Sequence, residues 1–318
     1  MEIIRLDHSD PATPAPCPVP PAVLCLGNFD GVHTGHAALL SEALKIKRKL
    51  TPQQKSIVAG ALTFSPPPYE VLLASPPPRI TDTEEKAALI EAAGMDRLYI
   101  VNFEDVRDMT PGRFVSEILK NKCGCLHAVC GYNFRFGIGG CGGADTLCRE
   151  FEGCVSVLDP VTHNGIAVSS TAVRHAVMSG DMESAAAMLG RPYSLSAPVV
   201  RGSAVGSRLG FPTINQEFTA GRLVPKTGVY ISACIIDKTR RPAVTDIGVR
   251  PTFGGQDELR CETHIIGYDG ELYGRTVKTE FYKYLRPEQK FDSPAGLAAA
   301  VRADIGAALE YFEKADIF

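Results

Sequence analysis

What most constrains this chain is a change of pattern near Gly190. Before it, short apolar runs alternate with stretches of helical spacing. Val23–Leu26, Ile57–Phe64, Arg97–Val101, Leu126–Gly131 and Val155–Val161 read as strands. Between them, His36–Leu50, Lys86–Ala93, Pro111–Lys122 and Asp145–Glu152 read as helices, and a helical pair follows at Thr171–Met178 and Met182–Leu189. Asp82 and Glu85 have capping-box spacing, and Pro111 stands at the favoured first helical position. Strands alternating with helices imply a parallel, doubly wound α/β sheet, which binds ligands beyond the carboxyl ends of its strands.

After Gly190-Arg191-Pro192, a hinge signal, the runs Tyr193–Val200, Val229–Ile236, Ala243–Val249, Cys261–Tyr268 and Thr276–Tyr284 are β-rich. One long helix closes the chain, with Leu297, Val301, Ile305, Ala308, Leu309 and Phe312 on one face. That pattern implies a small antiparallel β-barrel capped by the helix. The expected domains are 1–190 and 191–318. The proline cluster Pro11–Pro21 reads as an extended loop after a first strand.

Hydrophobic residues make up 45% and charged residues 22% of the 318, which excludes a disordered or fibrous chain. Net charge is −3: the first domain carries 16 basic against 21 acidic side chains, the second 17 against 15. Neither has the basic field of a nucleic-acid binder, so any bound phosphate must be held by local geometry. No apolar run approaches the ~20 residues of a membrane span, and charges at Glu2, Arg5, Asp7 and Asp10 break any leader-like start. A cytoplasmic chain is expected, monomeric or weakly self-associating. Its ten cysteines then read as thiols, and the six from Cys123 to Cys154 lack metal-ligand spacing.

Gly27-Asn28-Phe29-Asp30-Gly31-Val32-His33-Thr34-Gly35-His36 joins an apolar strand to an amphipathic helix. Glycines let backbone approach an anion, and free N–H groups at a helix start complement its charge. His33 and His36 are three apart, on one face of a first helical turn, where both rings can donate to phosphate oxygens. A metal pair, or one surface and one buried histidine, is the alternative.

This segment resembles the first motif of the bacterial bifunctional riboflavin kinase/FMN adenylyltransferases, with its H-x-G-H element. Gly131-Tyr-Asn133-Phe-Arg135-Phe-Gly137 resembles that family's loop at a strand end, and Ser169-Ser170-Thr171-Ala-Val-Arg174 its second nucleotidylyltransferase motif. The resemblance implies a Rossmann-like nucleotidylyltransferase domain, ATP as co-substrate and Mg²⁺ as cofactor. FMN phosphate would attack the α-phosphorus of ATP and release pyrophosphate. His33 and His36 would stabilise the transition state. Gly27, Phe29, Asp30, Gly31, Gly35 and Asn133 would line the phosphates, with Ser170, Thr171 and Arg174 on the β- and γ-groups. The chain departs from the family at Pro67, where many members have histidine, and at the run Ile138–Gly143 around Gly140, where a basic residue is common. A weaker grip and a mobile loop are expected there.

The second dense constellation is Gly202 to Asn215, including Gly206, Gly210, Phe211, Pro212 and Thr213. It is not a Walker A loop, although spaced glycines can form an anion nest. A threonine hydroxyl and an asparagine amide oxygen two residues on can both reach Mg²⁺. The stretch resembles the riboflavin kinase Gly-Phe-Pro-Thr-Ala-Asn motif, with Ile214 for the alanine. Ile247–Phe253 and Leu285–Phe291 match further landmarks. The resemblance implies that Thr213 and Asn215 hold the metal and that Gly206, Gly210, Phe211 and Pro212 border ATP. Glu262 would take the proton of the riboflavin 5′-hydroxyl, and Arg286 would contact flavin or phosphate. The expected substrates are riboflavin, FMN and ATP. The alternatives are a kinase with a degraded first domain that only binds flavin or nucleotide, and a non-catalytic flavin-binding protein.

Overall fold

The computed structural model describes residues 1–6, 19–54, 56–202, 206, 210–251 and 257–317. Most of the proline cluster, Cys17, and the landmark residues Thr252 and Phe253 lie outside the described residues. The chain divides into two compact units, Met1–Ser170 and Thr171–Phe318.

The first unit is a parallel sheet with strands in the order β1-β4-β3-β2-β5-β6. Its strands are β1 (Glu2–Leu6), β2 (Ala22–Leu26), β3 (Val58–Phe64), β4 (Arg97–Val101), β5 (Cys125–Gly131) and β6 (Val155–Leu158). β2 is buried along its whole length, as a central parallel strand must be. Its side chains alternate between two cores. Val23 and Cys25 pack with Leu39 and Leu40 of α1 (Thr34–Leu50) and with Ile90. Leu24 and Leu26 face Phe114, Ile118 and Leu147. Cys123, Cys125 and Cys130 join these cores as small apolar groups, and burial pushes their thiols up. No disulfide and no group of three or more metal-ligating side chains occurs among the described residues.

The short helices are α2 (Pro68–Leu72), α3 (Thr83–Ala92), α4 (Phe103–Val106), α5 (Pro111–Arg113) and α6 (Ala144–Glu150). Asp82 and Glu85 form the expected capping box of α3. The expected helix to Lys122 starts as α5 but widens into a π-helix over Phe114–Lys122. A two-stranded hairpin, β7 (Thr162–His163) and β8 (Ile166–Ala167), was not foreseen, being too short to show a period. Gly137–Gly143 is a bonded turn: Phe136 and Gly142 exchange backbone hydrogen bonds of 3.1 and 2.9 Å, and Ile138 N–H donates to Met109 O at 2.7 Å.

In the second unit, α7 (Ser170–Ser179) and α8 (Met182–Leu189) lead into an antiparallel sheet ordered β10-β13-β12-β11-β14-β9. The strands are β9 (Tyr193–Pro198), β10 (Thr213–Glu217), β11 (Gly228–Ile236), β12 (Thr239–Pro251), β13 (Asp257–Ile265) and β14 (Thr276–Arg286). The sheet curls until its edges meet: Val200 N–H donates to Asn215 O at 2.8 Å. Inside, Thr245 Oγ1 bonds Ser232 and Thr263 hydroxyls at 2.7 and 2.8 Å, and the Gln216 amide donates to the carbonyls of Ala197 and Val277. The last helix, α9 (Pro294–Ala315), packs Ala308 and Phe312 on Val229, Ile231 and Val244.

Candidate functional sites

Strand order in the first unit reverses at β2, with β3 on one side and β5 on the other. A cleft of about 330 Å³ opens beyond the carboxyl ends of those strands, where such sheets leave room for a ligand. Its lining includes Gly27, Asn28, His33, Gly35, His36, Asn133 and Ser170. Three separate sequence motifs therefore meet in one place.

His33 is the N-cap of α1, not a residue of its first turn. Its Nδ1 accepts the backbone N–H of His36 at 3.3 Å. A neutral His33 therefore carries its proton on Nε2. The two rings stack at 3.6 Å with 15° between planes. His36 Nδ1 and Asn28 Oδ1 are buried with no hydrogen-bond partner among the described residues. Burial first, then His33 and Lys86, hold His36 well below the ordinary imidazole range, so it stays neutral. Orphaned buried polar atoms lining a cleft mark a place for a polar ligand.

Phe29, Asp30 and Gly31, expected at the phosphates, are turned away and build the turn instead. The Phe29 ring is fully buried with its centroid 5.1 Å from His36. Asp30 Oδ1 accepts the backbone N–H groups of Ile80 and Thr81 at 3.0 and 3.1 Å, and Tyr69 donates to Oδ2 at 3.3 Å. Gly31 has φ +82°, and its N–H donates to Thr81 Oγ1 at 3.0 Å. Lys86, buried on α3, donates to Thr63 Oγ1 at 3.3 Å, and Thr63 passes the strut on to Asn28 O at 2.9 Å. Ser170 Oγ ties the second motif to Asp30 O at 2.9 Å. Thr171 and Arg174 follow on α7, Arg174 one turn beyond Ser170 and buried. Pro67 is the uncapped start of α2. Asn28 and Arg135 line the cleft but were not singled out: both lay inside motifs read for their glycines and aromatics.

In the second unit, β10 carries Thr213 and Asn215 on one face. Register sets Asn215 opposite Glu262 on β13, and Glu262 opposite Asp246 on β12. This row of three polar side chains is the centre of the second site. Asn215 is only 7% exposed, and its Oδ1 has no partner among the described residues. An orphaned amide oxygen two residues from a threonine hydroxyl suits a hard cation, so the donor set fits Mg²⁺. Gly202 must lack a side chain, since a Cβ there would overlap the Asn215 amide. A Cβ at Gly206 would strike Phe211 O, and Gly210 has φ +84°. The Phe211 N–H donates to Gly206 O at 2.9 Å, closing the loop before Pro212. His264 fixes that loop too: Nδ1 donates to Pro212 O at 2.9 Å, with Phe211 edge-on at 5.7 Å.

A cleft of about 210 Å³ lies at the β10 edge, lined by Pro212, Thr213 and Ile214 and by Tyr268 to Tyr273. Arg286, expected to contact flavin or phosphate, is engaged within its own unit. It forms a bidentate ion pair with Asp304 of α9, at 3.0 and 2.7 Å, and donates to Pro287 O at 3.3 Å. Asp246 was not foreseen, because its place beside Glu262 depends on cross-strand register, which linear spacing does not carry.

Comparison with known proteins agrees with this two-site arrangement. A family model described as FAD synthetase matches residues 18–172, and one described as riboflavin kinase matches 189–312. The bifunctional riboflavin kinase/FMN adenylyltransferase of Bacillus subtilis is 32% identical over 92% of this chain and 92% of its own length. That of Pseudomonas fluorescens is 34% identical over 90% and 91%, and that of Escherichia coli K12 31% over 98% of both chains. A Streptococcus pneumoniae crystal structure described as a macrolide-efflux protein superposes with a TM-score of 0.86 at 27% identity, covering 97% of this chain and 99% of that one. No helix among the described residues is long and apolar enough to cross a membrane.

Proposed function

Because the chain belongs to the bifunctional riboflavin kinase/FMN adenylyltransferase family, we propose that its two sites act in sequence, phosphorylating riboflavin to FMN and adenylylating FMN to FAD, with ATP as co-substrate of both steps. The observation that carries this reading is the pairing of two separate sets of orphaned buried polar atoms. One lies at Asn28 and His36, the other at Asn215. The division of labour assigned is adenylyl transfer in residues 1–190 and phosphoryl transfer in 191–318.

In the first site, an FMN phosphate oxygen attacks the α-phosphorus of ATP. The bond to the bridging oxygen breaks, and pyrophosphate leaves. His33 Nε2–H and the neutral His36 ring donate to the phosphate oxygens as negative charge builds on them. The Gly27 and Gly35 backbones allow close approach, Asn133 and Ser170 border the polyphosphate, and Thr171 and Arg174 contribute from α7. Asp30 and the Lys86–Thr63 strut act by holding the turn.

In the second site, Glu262 accepts the proton of the riboflavin 5′-hydroxyl as that oxygen attacks the γ-phosphorus, and ADP leaves. Thr213 Oγ1 and Asn215 Oδ1 would hold Mg²⁺, which when bound screens the phosphate charge. The cleft at Thr213, with Tyr268, Leu272 and Tyr273 in its wall, suits the nucleotide end. The chain works in the cytoplasm, as a monomer or weak homo-oligomer, without nucleic acid.

The test is incubation with riboflavin, ATP and Mg²⁺, followed by separation of the flavins. Both FMN and FAD are expected. His36→Ala should abolish FAD while sparing FMN, and Glu262→Ala should block riboflavin phosphorylation while sparing adenylylation of supplied FMN. Loss of both activities in one folded variant would overturn the two-site assignment.

A further inference from the structure

Tyr268, on the loop after β13, lines the cleft at the β10 edge. It packs beside Ile214 on an apolar cluster that includes Val199, Ile236 and Leu272. Its hydroxyl lies across the bare backbone of Gly270, where a Cβ would overlap it. The ring is thus seated on apolar contacts, with its tip over a glycine.

Behind the ring stands Arg241 of β12, with its guanidinium 5.1 Å from the ring centroid. Arg241 is not among the residues that line the cleft, so it reaches the ring from the far side. It forms no ion pair among the described residues, and its Nε is buried there without a hydrogen-bond partner. Burying a guanidinium nitrogen unpaired costs free energy, and an apolar side chain would fill the same place without that cost. The tyrosine face is the partner the fold offers this charge. A cation over an aromatic ring attracts it more strongly when half-buried than in open water.

We propose that Arg241 is a positioning residue for phosphoryl transfer: by clamping Tyr268 from behind, it fixes the flat wall against which the purine of ATP packs at the second site. The proposal rests on that cleft taking the nucleotide. Without the cation the tyrosine side chain gains rotamer freedom, and binding of the base must order it again. That loss weakens the bound ground state and the transition state alike. KM for ATP therefore rises while kcat holds. Arg241 touches neither the reacting atoms nor the metal ligands, so the chemical step itself is spared.

The test measures kcat and KM for ATP in riboflavin phosphorylation, with riboflavin and Mg²⁺ saturating. Arg241→Gln should raise KM roughly three- to tenfold and leave kcat within about twofold. Arg241→Lys, which keeps a cation, should recover part of that loss. Gly270→Ala, which displaces the tyrosine hydroxyl without touching any charge, should also raise KM. In the double variant Arg241→Gln/Tyr268→Leu, KM should be no higher than in Tyr268→Leu alone, because both changes act through one ring. KM for ATP in adenylylation of supplied FMN, read on the same preparations, should not move.

An unchanged KM in Arg241→Gln or Gly270→Ala, no recovery in Arg241→Lys, additive effects in the double variant, or a matching rise in the adenylyl branch would overturn the proposal. Failure of the underlying reading looks different. If Tyr268→Leu leaves KM for ATP unaltered and raises KM for riboflavin instead, the cleft does not take the nucleotide. If Tyr268→Leu raises KM for ATP while Arg241→Gln does not, only the clamp falls.

Discussion

At the scale of single residues, the two sites handle charge in opposite ways. The first keeps His36 neutral by burial, so the ring can offer a hydrogen-bond donor without an added positive charge. The second crowds carboxylates, so Asp246 holds its proton to about pH 7. The second arrangement has a thermodynamic consequence. An acid with a folded pKa near 7 and an unfolded value of 3.8 binds more protons folded than unfolded between those limits. Its contribution to stability is intact below the unfolded value and is lost as pH rises through the folded one. Asp246→Asn should therefore melt higher than wild type at pH 8, by about 2–4 °C, with the gap narrowing towards pH 4. Calorimetry at stepped pH checks this. A gap that stayed constant with pH would mean that Asp246 ionises normally in the fold.

At the scale of elements, the sites depend on struts that touch no ligand. Lys86 of α3, Thr63 of β3 and the Asn28 carbonyl form a line that holds the turn ahead of α1. Thr63→Val leaves a buried ammonium and a carbonyl without this link, which should cost about 1–3 kcal/mol in urea unfolding of the first unit. FAD formation should fall more than FMN formation. In the second unit, the bare backbone of Gly202 makes room for the Asn215 amide. Gly202→Ala should lower riboflavin phosphorylation at least about tenfold and leave adenylylation of supplied FMN unchanged. Equal loss of both activities would show that this glycine serves folding alone.

At the scale of the whole molecule, the net charge of −3 bears on kinetics. Two triphosphate sites without a basic field must rely on short-range donors, which salt screens weakly. Raising ionic strength from about 0.05 to 0.3 M should change the KM for ATP of either branch by less than about threefold. A steep salt dependence, measured by initial rates, would point to long-range steering instead.

The same scale shows how much was legible beforehand. The change of period near Gly190 announced a parallel sheet followed by an antiparallel one, because side-chain alternation and helical spacing survive in linear order. His33 and His36 stood out by their spacing in a strand–turn–helix segment, whereas Thr213, Asn215 and Glu262 were picked out chiefly by the family resemblance. Asp246 was not legible, since it owes its place to strand partners far along the chain, and Asn28 was passed over inside a motif read for its other residues. Nor was β10, where glycines, proline and polar side chains hide the strand on which Thr213 and Asn215 sit. The inward turn of Asp30 and the pairing of Arg286 with Asp304 likewise arise only when distant backbone closes around them.

Asn215 has two duties that a single residue rarely combines. Its main-chain carbonyl receives the Val200 amide and seals the curled sheet edge to edge, while its side-chain oxygen lies buried in the polar row with Glu262. If Asn215 holds the metal as proposed, the seam and the site share one residue, and opening the edge should loosen that amide. Exchange of the Val200 amide proton with solvent would report how often the seam opens.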